Sequence, residues 1–443
     1  MIFSFFSIPL VYGVPIFWGK HIDGKIWSVD ISKDGQYMAV GVDLGANKGK
    51  IYFYDKDGIL LWNHEEDRAI GNVAVSNDGS FVLASGFQVF GRAGVYLNPS
   101  VYLFDQDGKL LWNFQNTNVT SLNPENQSLT GIIGHLGNIF IIVSDYGIFF
   151  LDHFGNLLWE HTTNGRIGPT KISDDGATIA VGTTHDYEDN VWELFVFDNL
   201  GNLKWNHIGK DGLIQGNAIA VSSDGQNIVI GAMASGEFGT LYEFDKLGNI
   251  LWQKNNVSGG VLNLDMSGDG SSIVVGTNNG MLLLDGDGEE IGSHSTWFPT
   301  ISSDGKFIAS SGYIGNYENG IAFFDGKLNK IWSISNAGSD INKISKDGTF
   351  IIAGTRLPDY SSKSDDLYFF VGGQKSESEK YLNETKPISP TEALLKGDEN
   401  SGSGSSLLVS NPNDTLQLVI LIAAIVGITI VIIFDKSRKK ATQ

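Results

Sequence analysis

The sequence predicts an all-β fold: an eight-bladed β-propeller of four-stranded blades, followed by a flexible C-terminal stalk and a single transmembrane helix. Three observations carry the propeller. A cassette of apolar strands recurs eight times across residues 14–373, marked first by a Ser-x-Asp-Gly turn and then by an aromatic or aliphatic pair running into Asp. Most copies close on a tryptophan shortly afterwards. The last copy lacks its tryptophan strand, and a strand of that type stands alone at the other end, at Val14-Pro15-Ile16-Phe17-Trp18. Such recurrence marks units that bury their faces only against neighbours.

The elements follow in order. Ser-x-Asp-Gly stands at residues 32–35, 76–79, 173–176, 222–225, 267–270, 302–305 and 345–348, and a degraded copy reads Gly134-His135-Leu136-Gly137. Each predicts a hairpin, because Asp bonds to its own backbone and Gly accepts positive φ. The second half recurs as Phe53-Tyr54-Asp55, Leu103-Phe104-Asp105, Phe150-Leu151-Asp152, Val196-Phe197-Asp198, Glu243-Phe244-Asp245, Leu283-Leu284-Asp285 and Phe323-Phe324-Asp325, with Tyr368-Phe369-Phe370 lacking its Asp. Six of these continue to Trp62, Trp112, Trp159, Trp205, Trp252 and Trp332, while the unit ending near Gly292 has lost its tryptophan. A tryptophan repeated at one place in each unit is expected to wedge adjacent blades. Joining the strand of Trp18 to the last unit closes the ring and removes its open edges. Residues 14–373 number 360, or 45 per blade for eight blades.

The tryptophan repeat resembles the quinoprotein propeller family, and the Ser-x-Asp-Gly turns look equally like the TolB and WD40 class. The first resemblance implies a dehydrogenase with pyrroloquinoline quinone, calcium, an active-site Asp and a disulfide over the cofactor, or a non-catalytic relative. The chain has no cysteine, and no Asp matches the catalytic one. No catalytic residue, metal or cofactor is therefore assigned. A quinoprotein-type dehydrogenase stays as an alternative, beside a purely structural envelope component.

Composition shifts at both ends. Residues 1–13 read as a signal peptide, 374–415 as a stalk rich in Ser, Glu and Lys, 416–434 as an uncharged membrane-spanning helix, and 435–443 as a basic tail carrying Lys436, Arg438, Lys439 and Lys440. The basic tail orients the propeller outside and the C-terminus in the cytoplasm. The expected location is thus a cell membrane, crossed once. A net charge of −20 disfavours nucleic acid as a partner. Sequons at Asn118, Asn126, Asn256, Asn383 and Asn413 are glycosylation candidates for an exterior protein.

Chemistry is sparse. Asp55-Lys56-Asp57-Gly58 and its counterparts hold paired acids, yet two Asp cannot supply the six to eight oxygens that calcium wants, and Phe154, Leu200 and Leu247 replace the second acid in other copies. These read as turns. His64, His161 and His207, each two residues after a blade tryptophan, read as exposed turn residues. Asp30, Asp265, Asn72, Lys171 and Asn342 fall on innermost strands and form a candidate polar channel.

For contacts, the sequence favours connections between second and third strands: Phe90 and Arg92, Tyr187 and Trp192, Tyr313 and Tyr317, all emerging on one face. The irregular third unit, with its insertion at residues 115–130, adds to the loops. The function expected is a cell-surface binding platform for an extracellular or envelope protein or a polysaccharide, tied to the membrane through its C-terminal helix.

Overall fold

Eight antiparallel sheets of four strands are present, one for each sequence cassette. The computed structural model describes residues 16–372, apart from 91–94, 116–129, 134–138, 145, 186–189, 215, 235–237, 315–317, 336–340 and 356–363. Seven sheets use four consecutive strands. The eighth takes three strands from the carboxyl end of the ring, Ile341–Ile344, Phe350–Thr355 and Ser364–Val371, and borrows Ile16–Asp23 as its outermost strand. Trp18 there lies opposite Phe369. Closure follows the sequence expectation, and its reason is the cost of an unpaired sheet edge.

Burial follows position within a blade. With blades numbered from the sheet of residues 25–66 onward, middle strands face neighbouring blades on both sides and are buried along most of their length, chiefly by apolar residues such as Leu194, Val196 and Phe197 of blade 4. Outermost strands alternate, as in Leu60–Glu66, where every second residue is exposed. That contrast is the one expected between strands covered on two faces and strands bordering water.

The Ser-x-Asp-Gly turns explain their own composition. In blade 1 the Ser32 hydroxyl donates to Asp34 Oδ1 at 2.6 Å and accepts from the Tyr37 amide at 3.0 Å, while Asp34 Oδ1 accepts from the Gln36 amide. Gly35 takes φ of +69° and donates its amide to the Ser32 carbonyl. The Ser hydroxyl–Asp carboxylate bond recurs at Ser76, Ser173, Ser222, Ser267, Ser302 and Ser345. Each of these serines is buried, so an apolar substitute would strand one backbone amide and one carboxylate oxygen. The Asp-x-x-Gly turns work likewise: Asp55 Oδ1 accepts from the amides of Asp57 and Ile59. The carboxylate read as half of a paired-acid motif is thereby committed to the backbone.

Tryptophan joins blade to blade. Trp62 packs between Phe53 of its own blade and Phe104 of the next, with ring centroids 5.2 and 5.3 Å away. Its Nε1 donates to the Gln106 carbonyl in the next blade's turn at 3.0 Å, and Gly108 of that turn lies on the indole face. Trp18, Trp112, Trp205 and Trp252 repeat the bond to Lys56, His153, Lys246 and Gly286. Burying such a ring contributes up to about 4–6 kcal/mol at about 25 cal/mol per Å², against about 1 kcal/mol for the hydrogen bond, so packing dominates and the bond sets geometry. Trp332 faces the blade closed by the two chain ends. No turn joins Val371 to Ile16 there, and Trp332 Nε1 has no hydrogen-bond partner among the described residues.

Two blades depart from the repeat and repair the departure locally. Blade 6 places Gly292 where the tryptophan belongs, and the next turn carries Leu328 where the glycine belongs. Leu328 adopts φ of +61°, and its Cδ1 lies 3.2 Å from where a Cβ on Gly292 would stand. The left-handed backbone costs about 1–2 kcal/mol, and the partial burial of Leu328, a fraction of the about 1.5–3 kcal/mol of full burial, offsets part of it. In blade 5, Asn227 and Glu243 replace the stacked aromatic pair seen as Tyr37–Phe53, Phe307–Phe323 and Phe350–Phe369. Asn227 Nδ2 donates to Glu243 Oε1 at 2.6 Å, while Glu243 Oε2 is buried with no partner among the described residues. Burial pushes the Glu243 carboxyl above its ordinary value.

Two outcomes follow from these repairs. Gly292→Trp and Leu328→Gly, each destabilising alone, should compensate when combined, with a coupling energy of about 1–3 kcal/mol in a urea-denaturation double-mutant cycle. Strictly additive effects would disprove the exchange. For Glu243, the folded protein holds a proton that the unfolded chain releases, so stability falls as pH rises above the ordinary value of 4.5. Glu243→Gln should be more stable at neutral pH and should flatten that decline.

Candidate interaction site

Eight first strands surround the central axis, and contact between Lys25–Ile31 and Ile341–Ile344 completes the circle. The residue two places before each turn serine falls on one layer of this channel: Asp30, Ala74, Lys171, Ala220, Asp265, Thr300 and Lys343. The two acids stitch blades together. Asp30 Oδ2 accepts from the Val75 amide of the next blade at 2.8 Å, and Asp265 Oδ2 accepts from the Ile301 amide and the Thr300 hydroxyl. Asn342 likewise donates to the Phe298 carbonyl and to Ser311, while Asn72 is half-buried on its first strand. Burial raises the Asp30 carboxyl, with Lys343 opposing, and it lowers the Lys171 amine to about 8.

One mouth of the channel is pinched by a second ring. The residue after each turn serine passes a backbone hydrogen bond to its neighbour: Ser223 to Gly268, Gly268 to Ser303, Ser303 to Lys346, Lys346 to Lys33, and Lys33 to Asn77, at 2.7–3.1 Å. Asp174 sits on this ring, paired with Lys33, with Lys346 at 3.6 Å and with the Ser223 hydroxyl. The inner layer sets two acids against two lysines, while at the mouth the one acid Asp174 faces both Lys33 and Lys346. The channel therefore acts as a brace, and its polar groups are largely committed to neighbouring blades.

The residues expected to make contacts separate on inspection. Phe90 and Tyr313 lie on the second strands Phe81–Phe90 and Phe307–Ile314, near the ends that lead to the third strands. Arg92, Tyr187 and Tyr317 lie outside the described residues. Trp192 corrects the expectation. It is fully buried, its Nε1 donates to Asp211 Oδ1 at 2.9 Å, and its ring packs on Tyr242 and His207. The same Asp211 accepts from the Tyr242 hydroxyl, so Trp192 closes the joint between blades 4 and 5 and presents nothing to a partner. His64, His161 and His207 also differ from expectation: they lie on outermost strands, half-buried against Phe104, Phe197 and Phe244 of the next blade.

Of the sequons, Asn118, Asn126, Asn383 and Asn413 lie outside the described residues. Asn256 is exposed on Ile250–Ser258 and borders a groove of about 530 Å³ between the outermost strands of blades 5 and 6, lined also by Asn279, Ser293 and His294.

A different surface breaks the repeat. In the Asp-x-x-Gly turns the third residue is Asp57, Asp107, Phe154, Leu200, Leu247, Asp287 and then Lys327. The three apolar residues fall on consecutive blades and are 71%, 75% and 70% exposed. Their turns are alike, because Asn156, Asn202 and Asn249 each donate to the second oxygen of the turn Asp. Beside them, Leu157, Leu158, Leu203, Ile250 and Leu251 on the outermost strands are exposed as well. Sequence reasoning used Phe154, Leu200 and Leu247 only to argue against calcium. Their placement on adjacent blades was a signal already present.

No family model matches the chain, and no curated protein matches it. Solved structures share the fold. Sqt1 of Chaetomium thermophilum is similar with a TM-score of 0.59 and 15% identity, covering 82% of this chain and 99% of that one. The C-terminal WD40 domain of Sif2 matches at 0.58 and 13%, covering 80% and 97%. The Dos1 propeller matches at 0.57 and 12%, covering 82% and 97%. Identities this low show the fold alone. The chain is an eight-bladed propeller with WD40 structural neighbours.

The expected membrane location is overturned. Among the described residues no helix is long and apolar enough to cross a membrane. The propellers it resembles include a eukaryotic initiation factor and Sqt1 bound to the N-terminus of ribosomal protein L10. Residues 1–13 and 374–443, from which that location was read, lie outside the described residues.

The channel generates a pH test. Burial lowers the amines of Lys171 and Lys33 to about 8 from the ordinary 10.5. Between those values the unfolded chain keeps protons that the folded protein has lost, so stability should rise with pH through this window and be lowest below it. Lys171→Met should flatten part of that rise, as read by urea denaturation from the lower to the upper limit. An unchanged slope would place Lys171 in contact with bulk water.

Proposed function

We propose that this protein is a rigid protein-interaction platform. One observation carries the reading: three consecutive blades present Phe154, Leu200 and Leu247 to solvent where the flanking blades present Asp107 and Asp287. The repeating serines, aspartates and tryptophans are spent on holding the ring together. These three side chains stabilise nothing in their own blades that an aspartate does not allow elsewhere, and exposed apolar groups in a row cost solubility unless something covers them. The fold supports the reading in a second way. Because the blades are tied at the channel and at the tryptophans, little ordering entropy opposes binding. Sqt1, similar in fold, binds the N-terminus of a ribosomal protein, which shows that such a ring can hold a peptide.

Site-specific photo-crosslinking tests the proposal in the cell that makes the protein. A photoreactive phenylalanine analogue at Leu200 should give one reproducible protein adduct, and the same probe at Asp57, a position equivalent by repeat, should not. A second probe at Tyr317 tests the loop residues that the sequence favours. An adduct from Tyr317 alone would move the site to the loops favoured by the sequence, and no protein adduct from any position would remove the platform reading.

A further inference from the structure

We infer that the apolar rim of blades 3–5 receives a peptide segment whose centre is apolar and whose end over blade 6 is basic. This rests on the platform reading and names the partner's chemistry. The rim is continuous because each turn lies on the preceding blade's tryptophan: Gly201 on Trp159, and Gly248 on Trp205. Leu200 therefore stands beside the strand of Leu158, and Leu247 beside that of Leu203. Together with Phe154 and Leu251 these side chains make a stepped strip on the order of several hundred Å², the size at which an apolar patch marks an interaction site.

Charge decides what covers it. At one end, blade 6 presents Asp287, Glu289 and Glu290, all exposed, on and just after its turn. At the other, blade 2 presents Asp107 with Lys109 beside it, both exposed, so acid is concentrated at the blade 6 end. Within the strip Lys204 is held by Asp198 at 3.0 Å, and Lys246 is exposed next to Leu247. A segment with Leu, Ile or Phe at its centre and Lys or Arg at the end over blade 6 matches apolar to apolar and opposite charge to opposite charge. A second copy of this chain offers no such basic end: it repeats the same acidic rim in a molecule whose net charge is −20. An anionic bilayer is opposed by the same charge.

The turn itself supplies a folding-neutral variant, because blades 1, 2 and 6 already carry aspartate at the same position. The full chain is immobilised, and a displayed library of short random peptides is selected against it. Depletion is carried out on the triple variant Phe154→Asp, Leu200→Asp, Leu247→Asp, with thermal melting to show that both proteins are folded. Enriched peptides should be apolar at the centre and basic at one end. They should bind the triple variant at least about tenfold more weakly and lose affinity as salt is raised. Peptides that bind both proteins equally would overturn the rim while leaving the platform intact. Enriched peptides without a basic end would overturn the charge argument. No enriched peptide at all would count against both. Two controls assign other occupants: a dimer in sedimentation equilibrium that the triple variant loses would make the occupant a second copy, and flotation with phosphatidylcholine vesicles lost in that variant would make it lipid. Either result would overturn the peptide assignment.

Discussion

The contact between an outermost-strand tryptophan and the next blade's turn governs this molecule. It sets the distance between blades through the indole, their height through the Nε1 bond, and the turn's composition through the glycine beneath the ring. Because blades lean on their neighbours in this way, none buries its own faces alone, although blade 6 lacks the tryptophan and the Nε1 groups of Trp159 and Trp332 find no partner among the described residues. The exchange of Gly292 and Leu328 shows what the contact requires. Volume between blades has to be filled, and which side supplies it matters less.

Around the axis a different chemistry holds the same ring. Carboxylates of Asp30 and Asp265 reach across to backbone amides of the next blade, and the turn residues pass hydrogen bonds from one to the next at the mouth. The outer joint is apolar and tolerant of exchange, as blade 6 demonstrates. The inner one is polar and directional, and a polar group left unmatched there costs more than a misfit at the rim. A ring secured at both radii leaves binding to side chains that neither radius uses.

Strand count, closure and turn positions were legible in the residues because each is written more than once. Seven readable Ser-x-Asp-Gly copies outweigh one degraded copy, and an unpaired strand at Trp18 has one vacancy to fill. The site was less legible. Trp192 looked like a rim aromatic since it follows a loop, yet it begins a third strand whose first residue faces the next blade, and Asp211 satisfies its indole. His64 and its counterparts looked like turn residues, yet strand alternation turns them inward onto phenylalanines. In both cases, linear distance from a motif was a poorer guide than the parity of the strand. Phe154, Leu200 and Leu247 carried the opposite lesson, since a departure from a repeat means more when it falls on adjacent units.

The strand that closes the ring is made first and used last. His21 meets Asp366 across 345 residues of chain, so during synthesis Ile16–Asp23 has no partner until nearly the whole ring has emerged. Until then the growing array carries an open edge, and the contacts that remove it are among the longest in sequence that the chain makes. A ribosome that stalls late leaves an almost finished protein still unsealed. For this architecture the hazard of misassembly lasts until the eighth blade is made, and the strand of Trp18 serves as a latch held in reserve.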